Sequence, residues 1–243
     1  MRLGLLVAGS AALVFATLVL VVSPQPVALE RAAVRIVMGD RYKAEELDRF
    51  VGADELAFQP LVRAASLRSA AVVALRQAEE SIANGQRTDI DRHMDALERG
   101  LRHALTIGPA DTFLWLALFW RETFAGGFEP TRLSMLEMSY RTGPREGWVA
   151  VRRNAWTLGL YSRLGSDLQE AAAAEFIGLV ASRFMETVSI LTGPGWSVHD
   201  VLIPRLAMVD ELQRKAFARA LYQQGYDVQI PGIVRPDDRP WSR

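Results

Sequence analysis

The chain has 243 residues, no cysteine, 28 basic and 28 acidic side chains, and a hydrophobic content of 50%. A charge balance of zero argues against a nucleic-acid binder, which needs a basic face to neutralise phosphates. The absence of cysteine excludes disulfide frameworks, thiolate zinc sites and thiol nucleophiles together.

The first predicted element is a transmembrane anchor over residues 1–25. Residues 3–22 carry no charge, and a run of roughly 20 apolar residues spans a bilayer as a helix. Pro24 and Pro26 come directly after it and suit a helix end. A cleaved secretory signal is the competing reading, but the apolar run is long and no clean Ala-x-Ala lies beyond it. Arg31, Arg35, Arg41 and Lys43 stand after the run, against only Arg2 before it. Counted alone they oppose export of the body. Glu30 and Asp40 accompany them, and short amino-terminal segments of this kind commonly export the chain beyond them. The expected location is a bacterial inner membrane, single-pass, with a periplasmic body that meets the membrane only through residues 3–22.

Residues 26–224 are expected to form an all-α domain. A helix through VALERAAVRIVM ends at Gly39. A short one begins after Asp40 and stops at Gly52. Ser66 is the expected cap of the next, which Asn84-Gly85 terminates. The helix after that is capped by Thr88 or Asp89. Its residues Ile90, Met94, Leu97, Leu101, Ala104 and Leu105 step by three and four, so one face is buried. Another helix starts after Asp111 and closes at Gly126-Gly127. PTRLSMLEMSYRTG is helical up to Gly143-Pro144, and REGWVAVRRNAWTLGLYSRLG up to Gly165. SDLQEAAAAEFIGLVASRF starts from a cap at Ser166 or Asp167. A last long helix lies between Ser197 and Gln224, and the tail 225–243 is expected to run extended over the surface. No alternation is long enough to build a sheet.

The turns at Gly108-Pro109 and Gly143-Pro144 stand 35 residues apart, with one helix pair between them. Recurrence at about 34 residues marks a helical solenoid. Leu101, Ala104 and Pro109 stand at the spacing of a repeat's second-helix aromatic, small residue and closing proline. Trp115-x2-Leu118 then falls where the next repeat's Trp-x2-Leu belongs. Leu136, Ser139 and Pro144 repeat the first spacing, and Trp148-x2-Val151 restarts the second. Over residues 88–165 the chain resembles the tetratricopeptide family. Phe119 and Glu122 depart from that pattern, where Gly and Tyr belong, as does Arg132, where a small residue belongs. The resemblance implies antiparallel helix hairpins stacked as a short solenoid, and a scaffold that binds another protein.

The stretch Phe113 to Trp120 is apolar all round, which a surface helix is not. Trp115 and Leu118 are expected as inter-helix wedges, while Phe119 and Trp120 exceed what one stripe needs and are candidates for a groove. Around the Gly143-Pro144 turn, Arg141, Arg145, Arg152 and Arg153 gather with Tyr140, Trp148 and Trp156. Such a surface suits an acidic peptide or an anionic glycan. The competing reading is that these arginines satisfy helix ends and pair with Glu137 and Glu146. The candidate partner-binding residues are Phe119, Trp120, Tyr140, Arg141, Arg145, Trp148 and Arg152.

Other chemistry has weaker support. His93 and His103 lie ten apart, not at i, i+4, and with His199 they form no zinc motif. Ser197, His199 and Asp200 are too close in sequence for a hydrolase triad, and Ser197-x-x-Asp200 is expected as a capping box. Glu79-Glu80-Ser81 resembles the catalytic Glu and adjoining Ser of muralytic transglycosylases, without the rest of that pattern and without a second carboxylate. No catalytic residue, metal or cofactor is expected. The expected function is a membrane-anchored scaffold of the bacterial envelope, serving polysaccharide or envelope assembly and binding a membrane or envelope protein. A binding module for an anionic peptide or glycan is the alternative, and a muralytic glycosidase the second.

Overall fold

The computed structural model of the protein describes residues 24–50, 63–85 and 87–234. Every regular element among them is helical. The predicted anchor over residues 3–22 lies outside this set, as do the expected stop at Gly52 and the last nine residues of the tail. Among the described residues no helix is long and apolar enough to cross a membrane. The chain divides into two compact units between Leu136 and Glu137.

The first unit holds α1 (Pro24–Val37), α2 (Ala44–Leu47), α3 (Ala64–Asn84), α4 (Arg87–Ile107), α5 (Thr112–Gly126) and the start of α6 (Leu133–Thr142). α1 ends as its sequence predicts. Gly39 takes a left-handed conformation, with Gly39 N–H on the Ile36 carbonyl and Asp40 N–H on that of Arg35, both at 3.0 Å. This closes the helix by satisfying its last carbonyls. α3 stops at Gly85 in the same way, at φ 73°. The stripe on α4 is buried from Met94 through Leu97, Leu101 and Ala104 to Leu105. Asp111 caps α5, accepting from the Phe113 and Leu114 amides at 3.0 and 3.1 Å. A cap of this type contributes about 1 kcal/mol.

α5 buries Phe113, Leu114, Leu116, Ala117, Leu118 and Phe119 together. It can do so because α4 and α3 both pack against it. Arg102 adds an ion pair with Glu98 at 2.7 Å and another across to Glu122 at 2.6 Å. Arg121 joins the same carboxylates from α5. The predicted cap at Ser66 is not one. Ser66 lies inside the first turn of α3, buried, and donates to Glu30 of α1 at 3.0 Å. Its hydroxyl serves packing between helices, which local sequence does not reveal. Thr88 and Asp89 likewise lie inside α4, which starts at Arg87.

The second unit completes α6 and adds α7 (Gly147–Gly159), α8 (Ser166–Ala181), α9 (Thr187–Thr192), α10 (His199–Arg205) and α11 (Glu211–Gln223). α8 is its centre and contacts α7, α9, α10 and α11. Ala172, Ala173, Phe176, Leu179 and Val180 of α8 are all buried. The single helix expected over 197–224 is two helices. Pro204 brings no N–H, its ring crowds the carbonyl four residues back, and α10 ends one residue later. The capping box expected at Ser197 does not form. Ser197 lies in a short 3-10 turn, and α10 starts at His199 without a side-chain cap. α9 carries no sequence signal of its own, because six residues are too few to show a period. After Gly225 the chain is non-helical as expected, but Ile230 and Ile233 are buried in the core, not spread over the surface.

Arg183 is the one non-glycine residue with positive φ among the described residues, at 61°. It stands where α8 ends in the same closing motif as α1, with Phe184 N–H on the Leu179 carbonyl at 3.1 Å. A side chain there costs roughly 1–2 kcal/mol of backbone strain. Arg183→Gly is therefore expected to raise stability by about 0.5–1 kcal/mol, since glycine's extra unfolded-state entropy offsets part of the relief. A urea melt reads this as a higher midpoint at unchanged slope; a lower midpoint rejects the strain account.

Candidate functional site

The turn between α6 and α7 runs from Gly143 to Glu146 in the second unit. Arg145 is exposed on it, and Arg141 is exposed on the last turn of α6 just before it. Trp148 and Arg152 are half-buried, and their i, i+4 spacing puts them on one face of α7. The structure thus brings these four predicted residues to one turn and the two helix ends that flank it. Glu146 precedes α7 without a side-chain cap bond.

What holds this turn is an arginine grouped by sequence with the surface set. Arg153 is wholly buried. Its Nε lies 3.0 Å from Glu175 Oε1, and its Nη2 lies 2.5 Å from the same oxygen. Nη1 donates to the Ser139 carbonyl at 2.7 Å and to Ser139 Oγ at 3.1 Å. Nη2 also reaches the Gly143 carbonyl at 3.3 Å. The Ser139 carbonyl lies in the last turn of α6, where it also accepts from the Gly143 amide at 3.4 Å, and the Gly143 carbonyl lies in the turn itself. Arg153 thus ties α6, α7 and α8 together. Asn154 adds a bond from its amide nitrogen to the Ala172 carbonyl of α8 at 2.8 Å.

Tyr140 belongs to this interior, not to the partner-facing surface predicted for it. Its hydroxyl donates to Glu175 Oε2 at 3.1 Å, and the Arg153 guanidinium lies 4.1 Å from its ring centroid. Burial, then the neighbouring Glu175 charge, raises the Tyr140 phenol above its ordinary range. Burial also pushes the Glu175 carboxyl upward, against the pull of the Arg153 guanidinium. Gly147 makes a close approach of a different kind. A Cβ there would fall 2.5 Å from the Phe184 ring.

The two aromatic candidates of the first unit separate. Phe119 is 1% exposed and belongs to the core, so it presents nothing to a partner. Trp120 is half-buried and stacks on exposed Phe124 at 5.6 Å. Trp115, expected inside, is half-buried, and its indole N–H donates to the Pro109 carbonyl at 2.7 Å. That bond braces the turn ahead of α5. Glu79 and Glu80 both pair with Arg76.

Sequence reasoning missed a polar pocket of about 200 Å³ in the first unit, lined by Asp48, Gln77, Glu80, Ser81, Asp89 and His93 among others. Ser81 gives its one hydroxyl proton to the Gln77 carbonyl at 2.6 Å. Its oxygen must then accept from His93 Nδ1, 2.7 Å away, which fixes the tautomer by the hydrogen-bond network. Among the described residues no cluster of three or more His, Asp or Glu is placed to hold a metal ion.

No protein-family model matches the chain, and no curated protein and no solved structure is significantly similar to it.

Two outcomes are expected. Glu175→Gln leaves the buried Arg153 charge unneutralised and should cost about 3–5 kcal/mol. The double variant Arg153→Met/Glu175→Leu should recover most of that loss, because apolar replacements of a buried pair are often neutral. Denaturant melts of both decide it, and a double variant no better than the single one rejects the pairing account. Burial, aided by the Arg92 charge, lowers His93 below its ordinary 6.5. The unfolded chain therefore takes up that proton first, so stability falls as pH drops from 6.5 through the folded value. His93→Gln should flatten this part of the wild-type profile in melts across pH, and an unchanged slope assigns it elsewhere.

Proposed function

We propose that this chain is a non-enzymatic scaffold of the bacterial envelope, anchored in the inner membrane by residues 3–22. Its helical body is a short tetratricopeptide-like array outside the cytoplasm that binds a membrane or envelope protein. Helix starts at Thr112 and Gly147 support the repeat reading. They keep the 35-residue spacing of the turns, and α5 is covered by helices on two sides, as a solenoid requires. The observation that carries the binding reading is the α6–α7 turn. Arg153 holds it from inside, while Arg145 stands exposed on it, Arg141 stands exposed on the last turn of α6 before it, and Trp148 flanks it. A surface fixed in advance loses little entropy when it docks. Guanidinium groups beside an aromatic ring suit an acidic segment of the partner.

An anionic glycan presents the same chemistry and is the second reading, favoured by the same exposed arginines. The muralytic reading has less support. A glycosidase acid sits in an apolar pocket, whereas Glu80 is paired with Arg76.

The test is cross-linking of the full-length protein in cells, then mild-detergent purification and mass spectrometry. The expected result is one stoichiometric membrane or envelope protein. Its affinity should fall about tenfold or more in Arg141→Glu/Arg145→Glu, whose melting should not change. A monomer without protein partners rejects the scaffold reading. A partner retained by the double variant rejects the turn as the site.

A further inference from the structure

In the first unit, α1 carries two apolar stripes. Leu29, Ala32, Ala33 and Ile36 are buried, and α3 packs on this helix. The opposite face of a surface helix is ordinarily polar. Here it holds Val27, Val34 and Met38, which are 41%, 52% and 78% exposed. At 3.6 residues per turn these three point within about 40° of one another, on the far side from the buried four. Met38 continues the stripe past the last helical residue, since its amide still donates to the Val34 carbonyl at 3.0 Å. Arg31 stands in the same stripe and is exposed. Its neighbour Arg35 is engaged by Asp40 at 2.7 Å, whereas Arg31 is in no ion pair among the described residues.

We propose that this face of α1 lies on a phospholipid surface, with Val27, Val34 and Met38 among the upper acyl carbons and Arg31 on a lipid phosphate. This rests on the anchor proposed for residues 3–22, which leaves only Ser23 between the bilayer and α1. The exposed stripe is about 17 Å long at 1.5 Å per residue, so all of it stays within reach of the lipid that the anchor enters. Pro24 and Pro26 fall in the first turn of α1, where a missing N–H costs nothing. In a helix running on from an anchor both would be interior, each crowding the carbonyl four residues back. The two prolines therefore separate α1 from a spanning helix and free it to lie along the surface. A helix in that position buries its apolar side chains about 5–10 Å into the boundary of headgroups and acyl chains. The Arg31 stem can rest on apolar surface while its head stays with the headgroups. Guanidinium pairs with phosphate through two parallel bonds.

The chain has no cysteine, so a single introduced one reports a single position. Val34→Cys, Met38→Cys and, at an exposed position of α4, Arg99→Cys each carry an NBD label in the full-length protein. Each is reconstituted in vesicles of phosphatidylethanolamine and phosphatidylglycerol, doped with a phosphatidylcholine bearing a nitroxide at the fifth acyl carbon. The labels at 34 and 38 should lose about half their emission or more, and the label at 99 under about a tenth. Arg31→Glu should cut the loss at 38 by about twofold or more without changing the melt. Flotation of the vesicles after an alkaline carbonate wash reads the anchor separately. A protein that does not float overturns the anchor and this inference with it. A floating protein whose labels at 34 and 38 are quenched no more than the one at 99 overturns the lipid face alone. A blue-shifted emission without quenching does the same, by assigning the stripe to a partner protein or a second copy. Undiminished quenching in Arg31→Glu overturns the phosphate contact.

Discussion

The buried pair of Arg153 and Glu175 sets the arrangement of the second unit. Taking both charges out of water costs several kcal/mol for each ion, even after relaxation. The cost is offset only if geometry satisfies nearly every donor. Here the guanidinium meets a carboxylate, two backbone carbonyls and a hydroxyl. Those acceptors come from α6, the turn after it and α8. The pair therefore has one productive placement, in which three elements are already in register. A buried apolar side chain at 153 would tolerate a shift or a rotation that this guanidinium does not.

The polar character of α7 continues past that pair. Asn154 and Thr157 are also buried, and each bonds a backbone carbonyl, Ala172 in α8 and Arg153 within α7. α8 answers with two kinds of surface. Ala172 and Ala173 keep its backbone close to its neighbours, Glu175 faces the polar residues of α7, and Phe176 meets Phe217 of α11 edge-on at 6.0 Å. One helix thus carries the boundary between a hydrogen-bonded seam and an apolar core. The chain leaving α8 then returns to α7, where the Phe184 ring packs against Gly147. The α6–α7 turn is confined from two directions, by the Arg153 guanidinium and by the Phe184 ring.

How much of this is legible in the sequence depends on the range of each interaction. The ends at Gly39 and Gly85 and the cap at Asp111 are local chemistry within one helical turn, and they stand where the pattern puts them. The buried stripe from Met94 to Leu105 is also local, because a period needs only its own helix. The caps expected at Ser197 and at Thr88 or Asp89 fail locally, because the helix starts elsewhere, whereas three other failures involve distant partners. Ser66 looks like a cap until Glu30, 36 positions away, is placed beside it. Arg153 looks like its exposed neighbours until Glu175, 22 positions away, is placed beside it. Phe119 looks surplus when a single stripe is counted, whereas α5 is covered on two sides. The break after Pro204 is different, since its signal lies in the proline itself. A proline inside a helix interrupts it even where the apolar pattern runs on.

Arg152 and Arg153 show how far the site depends on the interior. They are adjacent and chemically identical, and one residue of α-helix turns the side-chain direction by about 100°. That rotation separates a half-buried residue on the face of Trp148 from one with no exposure at all. Neither role is written in the residue. Both come from the phase of α7, and the phase is fixed by where Glu175 and the α6 carbonyls stand. A change that rotated α7 by a fraction of a turn would strand a charge inside and redirect Trp148 and Arg152 together. The geometry of the surface and the satisfaction of the core are therefore one constraint.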